Sequence, residues 1–190
     1  MNGKLTTAAM ISIIIFLTVA DIILFSGKYY DVASLIAAFL SCIPFYITFE
    51  KSKATSKEIM LVALMTAFSV CGRIMFSFIP FFKPITAFTI ISGMYLSAPA
   101  GFICGSFSAL ISNIYFGQGP WTLFQMISWG LIGFISGVIG EKLLEKRIIL
   151  VIYAFISGVL FSLIMDLWTV LNIDKELSLI HISEPTRRRG

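Results

Sequence analysis

The sequence predicts an all-α, polytopic transmembrane helical bundle, on three observations. Of 190 residues, 58% are hydrophobic and 13% charged, against about a quarter charged in an ordinary soluble domain. The mean hydropathy is +0.95. The apolar residues fall mostly in blocks of about 17 to 24, the length a helix needs to cross a hydrocarbon core about 30 Å thick. Helices satisfy their own backbone hydrogen bonds in lipid, and these blocks are too long and too uniformly apolar for barrel strands. A soluble globule is excluded because there is too little polar surface to clothe one.

Seven apolar segments are expected, at residues 7–26, 32–49, 59–79, 85–98, 100–116, 121–140 and 148–171. The first is longer than a secretory h-region, carries Asp21 and is followed by no small-residue cleavage site, so it reads as a retained helix. Lys4, then Lys51, Lys53 and Lys57, then Lys142, Lys146 and Arg147 fall on one side of the membrane, with only Lys28 and Lys83 on the other. The positive-inside rule then gives a multi-pass cell-membrane protein with a cytoplasmic N-terminus. Outer connections fall at 27–31, 80–84 and 117–120, inner ones at 50–58, 97–99 and 141–147. The charged linker EKSKATSKE divides the chain. Residues 1–50 read as an accessory transmembrane helix pair, 51–58 as a cytoplasmic linker, 59–176 as the working core and 177–190 as a tail.

That tail has no helical periodicity in its sequence. Leu177 to Arg187 reads LSLIHISEPTR, which resembles the translation of a sequencing-library adapter, with Arg188, Arg189 and Gly190 as read-through. On this reading the native sequence stops near Glu176, a further helix is missing, and His181 has no functional role. Setting aside Glu184, Arg187, Arg188 and Arg189 halves the formal charge of +4, so basicity says nothing about nucleic acid.

Cys42, Cys71 and Cys104 lie inside apolar segments at no metal-binding spacing, and are expected as small, buried, reduced side chains. No phosphate-binding glycine loop, nucleophile elbow or pair of intramembrane acids occurs. Neither an enzyme nor a metal or cofactor site is expected.

Charged groups within a bilayer cost at least about 2.5–3.5 kcal/mol on insertion scales and are functional candidates by default. Arg73 and Asp166 lie at corresponding depths in their segments, toward the outer side on this topology. Asn113, Gln118, Trp121, Gln125 and Trp168 fall at the same level, and Lys83 in the adjoining loop. Each alone has a bland account: a snorkelling Arg, an interfacial Trp, an amide bonding two helices. As a set they point to a water-accessible cavity that binds a small solute. Arg73 and Lys83 would meet an anionic group, Asp166 would be counter-charge or acceptor, Asn113, Gln118 and Gln125 would supply polar edges, and Trp121 and Trp168 stacking surfaces. The turn Phe116–Gly–Gln–Gly–Pro–Trp121 is either a lid over that cavity or a plain helix connection.

Toward the other side small residues recur at helical spacing: Ala63, Ala67 and Cys71; Gly101, Gly105 and Ala109; Gly133 and Gly137. Such stripes let helices approach closely. The glycine stripes suit packing within the bundle. The alanine stripe, starting just after the charged linker, suits a partner protein.

Three stretches carry a resemblance: KEIMLVALMTAFSVCGRIMFSFIP (57–80), KPITAFTIISG (83–93) and SAPAGFICGSFSALISNIYFGQGPWTLFQMISWGLIGFISG (97–137). Together they resemble the substrate-specific (S) component of energy-coupling factor (ECF) transporters, with the FGQGPW turn the most specific part. The resemblance implies a six-helix core, of which five helices are present here, binding a vitamin or micronutrient, cobalamin-like or other, under outer loops. It also implies partners, a transmembrane coupling subunit driven by two ATPases, and docking through Ala63, Ala67 and Cys71, where Cys71 departs from alanine but stays small. The alternative is an autonomous small secondary transporter or channel, which an Arg73–Asp166 pair would suit, though neither a coupling-ion site nor inverted repeats are visible. A lipid-modifying intramembrane enzyme would need a cluster of acids or histidines, of which only Asp166 offers itself.

Overall fold

The computed structural model of the chain describes residues 30–51, 54–79, 82–119 and 121–183; the expected first segment, 7–26, lies outside them. Every regular element among the described residues is a helix: α1 (Tyr30–Lys51), α2 (Ser56–Met75), α3 (Ile85–Tyr95), α4 (Ala98–Phe116), α5 (Trp121–Val138), α6 (Gly140–Glu145) and α7 (Arg147–Ser183). Helices α2, α4, α5 and the stretch of α7 to Val170 are long and apolar enough to cross a membrane. The expected all-α membrane bundle is the fold.

Local chemistry sets the ends of these helices. Thr55 caps α2, its hydroxyl accepting from the Glu58 amide at 3.2 Å, and Ser97 caps α4, accepting from the Ala100 amide at 3.3 Å. Both caps satisfy amides that the first helical turn leaves unpaired. Ser97 also donates to the Glu58 carboxylate at 3.0 Å, which brings the starts of α2 and α4 together. Since Arg73 near the end of α2 bonds Ser112 and Asn113 near the end of α4, the two helices run parallel. Helix α3 must therefore return between them. Its 11 residues cover only about 16 Å at 1.5 Å each, and the flanking segments make up the rest. The apolar run expected over 85–98 is cut by the turn at Leu96 and the Ser97 cap.

Two further departures concern the last two helices. The segment expected as a loop at 141–147 contains the short helix α6, whose Leu143 is buried. Helix α7 does not stop at Leu171 but continues to Ser183.

Helices α4 and α5 form the centre. They approach backbone to backbone at Gly101 and Gly133, where a Cβ on either would meet the other residue's carbonyl. The glycine stripes thus pack within the bundle, as their spacing suggested. The interior is rich in small polar side chains, among them Ser69, Ser92, Ser106, Ser112 and Asn113, while large apolar ones such as Phe78, Ile114 and Phe155 face outward. That distribution suits a lipid surround, where apolar exteriors cost nothing and interhelical polar contacts hold the interior.

Helix α1 joins the bundle through Phe45, which stacks on Phe102 at 3.9 Å and meets the edge of Phe134 at 4.9 Å. Tyr46 adds a hydrogen bond to the Ser106 hydroxyl at 3.2 Å. The α1 backbone rests on α4 and α5 and stays apart from α2, which leaves an apolar groove of about 650 Å³ between them. Ala63, Ala67 and Cys71 line it, all three exposed. Cys71 therefore differs from the expectation of burial, whereas Cys42 and Cys104 are buried as expected; all three are free thiols.

Candidate functional site

The polar residues singled out in the sequence resolve into one connected network, one aromatic seam and two outliers. At the Arg73 end of the bundle, the guanidinium Nη1 donates to Ser112 Oγ at 2.5 Å and to Asn113 Oδ1 at 3.0 Å. The Asn113 amide nitrogen donates to Thr122 Oγ1 and to Gln125 Oε1, both at 2.9 Å. Thr122 in turn donates to Gln118 Oε1 at 3.0 Å and accepts from the Gly119 amide at 3.3 Å. Its single donor and both lone pairs are in use. Buried Asn113 thus ties α2, α4 and α5 together with both its oxygen and its nitrogen engaged.

The connection between α4 and α5 belongs to this network. Gly117 ends α4 at φ +99°, a region open to glycine and strained for side chains with a Cβ. The chain then turns so that Gln118 reaches back, donating to the Leu110 carbonyl at 2.8 Å. The loop is tied at both ends of the Gln118 amide, which makes it a fixed connection that sets Thr122 in place.

Trp121 and Trp168 meet edge to face at 5.9 Å, with Phe124 at 6.3 Å from Trp168, and so form a seam between α5 and α7. Asp166 is exposed on α7; the partners of Arg73 are Ser112, Asn113 and two aromatic rings rather than this carboxylate. Lys83 stands outside the network, its ammonium 4.9 Å from the centre of the Phe161 ring.

Sequence reasoning missed the residues that join Lys83 to Arg73. The guanidinium lies over Trp129 at 5.1 Å and over Phe116 at 4.7 Å. Trp129, fully buried, stacks on Phe161 at 4.4 Å and an interplanar angle of 16°. The four side chains form a column, cation, indole, phenyl, cation. The Trp129 indole N–H donates to Thr86 Oγ1 at 3.3 Å. A signal for Trp129 was available, because it follows Gln125 by four residues on a helix, as Gln125 follows Trp121. Phe161 carried none, being one apolar residue in a uniformly apolar segment.

Beside Phe161 a cavity of about 300 Å³ opens between the start of α3 and α7, lined also by Lys83, Thr86, Gly158 and Ser162. Loss of water, and next the charge of Arg73, pull the Lys83 ammonium below its ordinary pKa. The two cations therefore feel one another across the column.

A helical bundle with an apolar exterior, a polar network at one end and a cavity beside Lys83 is a membrane-embedded helical protein. Residues 53–184 match the family described as ECF-type riboflavin transporter, S component. The chain belongs to this family, and it is a substrate-binding subunit of an ECF transporter in a multi-pass membrane setting. No curated protein and no solved structure matches the chain.

Proposed function

We propose that the chain captures a flavin-like vitamin at the Arg73 end of the bundle, facing the cell exterior, and delivers it through an ATP-driven energy-coupling module. The family's name for its ligand supports a flavin over the cobalamin-like solute considered from sequence. On this reading Arg73, Lys83, Asn113, Gln118, Gln125, Trp121 and Trp168 build or border the site, and Asp166 stands at its rim. The N-terminus is cytoplasmic, residues 1–50 are an accessory pair, and 51–58 link it to the core. Ala63, Ala67 and Cys71 are the docking stripe for the transmembrane coupling subunit.

The observation that carries the reading is the polarity of α2. Its Arg73 end joins the polar network, while its other face presents exposed small residues to an apolar groove. One helix thus offers a binding end and a close-packing face. The rival of an autonomous transporter drew on an Arg73–Asp166 pair, which the geometry does not form.

The test is vitamin uptake in cells expressing the chain with and without an energy-coupling module. Riboflavin uptake is expected only with the module, and to vanish when its ATPases are inactivated. Uptake that persists without the module sinks the reading.

A further inference from the structure

We propose that the cavity between the start of α3 and α7 seats the anionic group of an organic solute, a phosphate or carboxylate, with Lys83 as its counter-charge and Thr86 as a hydroxyl donor. The inference rests on the solute-binding reading above and departs from it in one respect: riboflavin itself is neutral.

The cavity has the composition of an anion site. Lys83 lines it, and among the described residues its ammonium makes no ion pair and stands over the face of Phe161. Among the described residues no carboxylate lines it. Asp166, one turn beyond Ser162 on α7, is exposed and forms no ion pair with either cation among the described residues. Thr86 Oγ1 accepts from the Trp129 indole, which leaves its own proton for an acceptor in the cavity. Arg73 adds a second positive charge through the Trp129–Phe161 stack. Two like charges held around one aromatic pair raise each other's energy, and an anion beside Lys83 relieves both.

Size and shape agree. A volume of about 300 Å³ lies at the low end for ligand pockets, which run from about 300 to 1,000 Å³. It fits a charged group with the ring or chain next to it. Gly158 keeps the α7 wall open, since a Cβ built there meets no atom within 4 Å.

The experiment uses the full chain purified in detergent, titrated with riboflavin and with riboflavin 5′-phosphate by quenching of flavin fluorescence. A charge-assisted hydrogen bond should make the phosphate ester bind about tenfold tighter or more. Lys83→Gln, a loop substitution outside the packed helices, should bring the two affinities together by removing the advantage of the phosphate ester. Equal affinities in the unaltered chain, or a preference that survives Lys83→Gln, overturns the inference. If neither flavin binds, thermal stabilisation by pyridoxal 5′-phosphate, thiamine diphosphate and folate is compared with pyridoxine and with riboflavin. Stabilisation by the anions alone, lost in Lys83→Gln, upholds the anion site and discards the flavin. Stabilisation by no anion overturns it.

Discussion

Asn113 concentrates the interactions of the polar network in one side chain. Its replacement by leucine removes three hydrogen bonds at once: one from Arg73, one to Thr122 and one to Gln125. Interhelical hydrogen bonds in membranes average about 0.6 kcal/mol, so Asn113→Leu should cost about 2 kcal/mol. A lowered unfolding midpoint in mixed detergent–SDS titration is the expected result. Ser69 offers the opposite case, because its buried hydroxyl has no hydrogen-bond partner among the described residues. Ser69→Ala should leave stability unchanged or raise it by up to about 1 kcal/mol, since a desolvated, unsatisfied group is removed. At this scale the sequence revealed residue types better than pairings. Asn113, Gln125 and Arg73 stood out as polar residues in apolar runs and Gln118 in the loop between two of them, and the structure joins them. That Arg73 meets Trp129 and not Asp166 depends on helix rotation, which spacing within one segment does not specify.

Among the helices, the α4–α5 contact depends on the absence of side chains at Gly101 and Gly133. Gly133→Ala puts a methyl into the Gly101 carbonyl and against the branched Thr89 side chain, with no flexible chain end to yield. The helices must separate, at a cost of about 1–3 kcal/mol typical of overpacking. Gly158 on α7 is the control, because a Cβ there meets nothing. Gly158→Ala should hold or raise the unfolding midpoint, as alanine favours a helix by up to about 1 kcal/mol over glycine. The glycine stripes were readable in sequence because their four-residue period is a helical one. The limits of α3 were not: apolar residues continue through Leu96, and only the Ser97 cap with Pro99 behind it shows where one helix gives way to the next. Helix α6 was hidden for the converse reason, a single buried Leu143 turning a charged connection into a helical turn.

Across the whole chain, the family match from 53 to 184 begins within the charged linker and covers α2 to α7. Helix α7 and the match both extend past Glu176, the expected native end. Sequencing the 3′ end of the gene tests the adapter reading of 177–190, and an uninterrupted native frame encoding LSLIHISEPTR refutes it. On the proposed function, the larger question is how the bundle would meet a coupling subunit. Helix α1, anchored by Phe45 on α4 and α5, forms one wall of the groove that exposes Ala63, Ala67 and Cys71. A docked helix would have to enter between α1 and α2, where small side chains permit close approach. Ala67→Trp fills that groove some distance from the Arg73 network, so it should preserve solute binding to the purified chain while cutting module-dependent uptake at least about tenfold, the effect of about 1.4 kcal/mol lost at the interface. Cys71 gives an independent readout, since it is exposed while Cys42 and Cys104 are buried. A lipid-permeant maleimide should label Cys71 first, and co-assembly with the coupling subunit should protect it. Full uptake by Ala67→Trp, together with labelling of Cys71 unchanged by assembly, would place the docking surface elsewhere on the bundle.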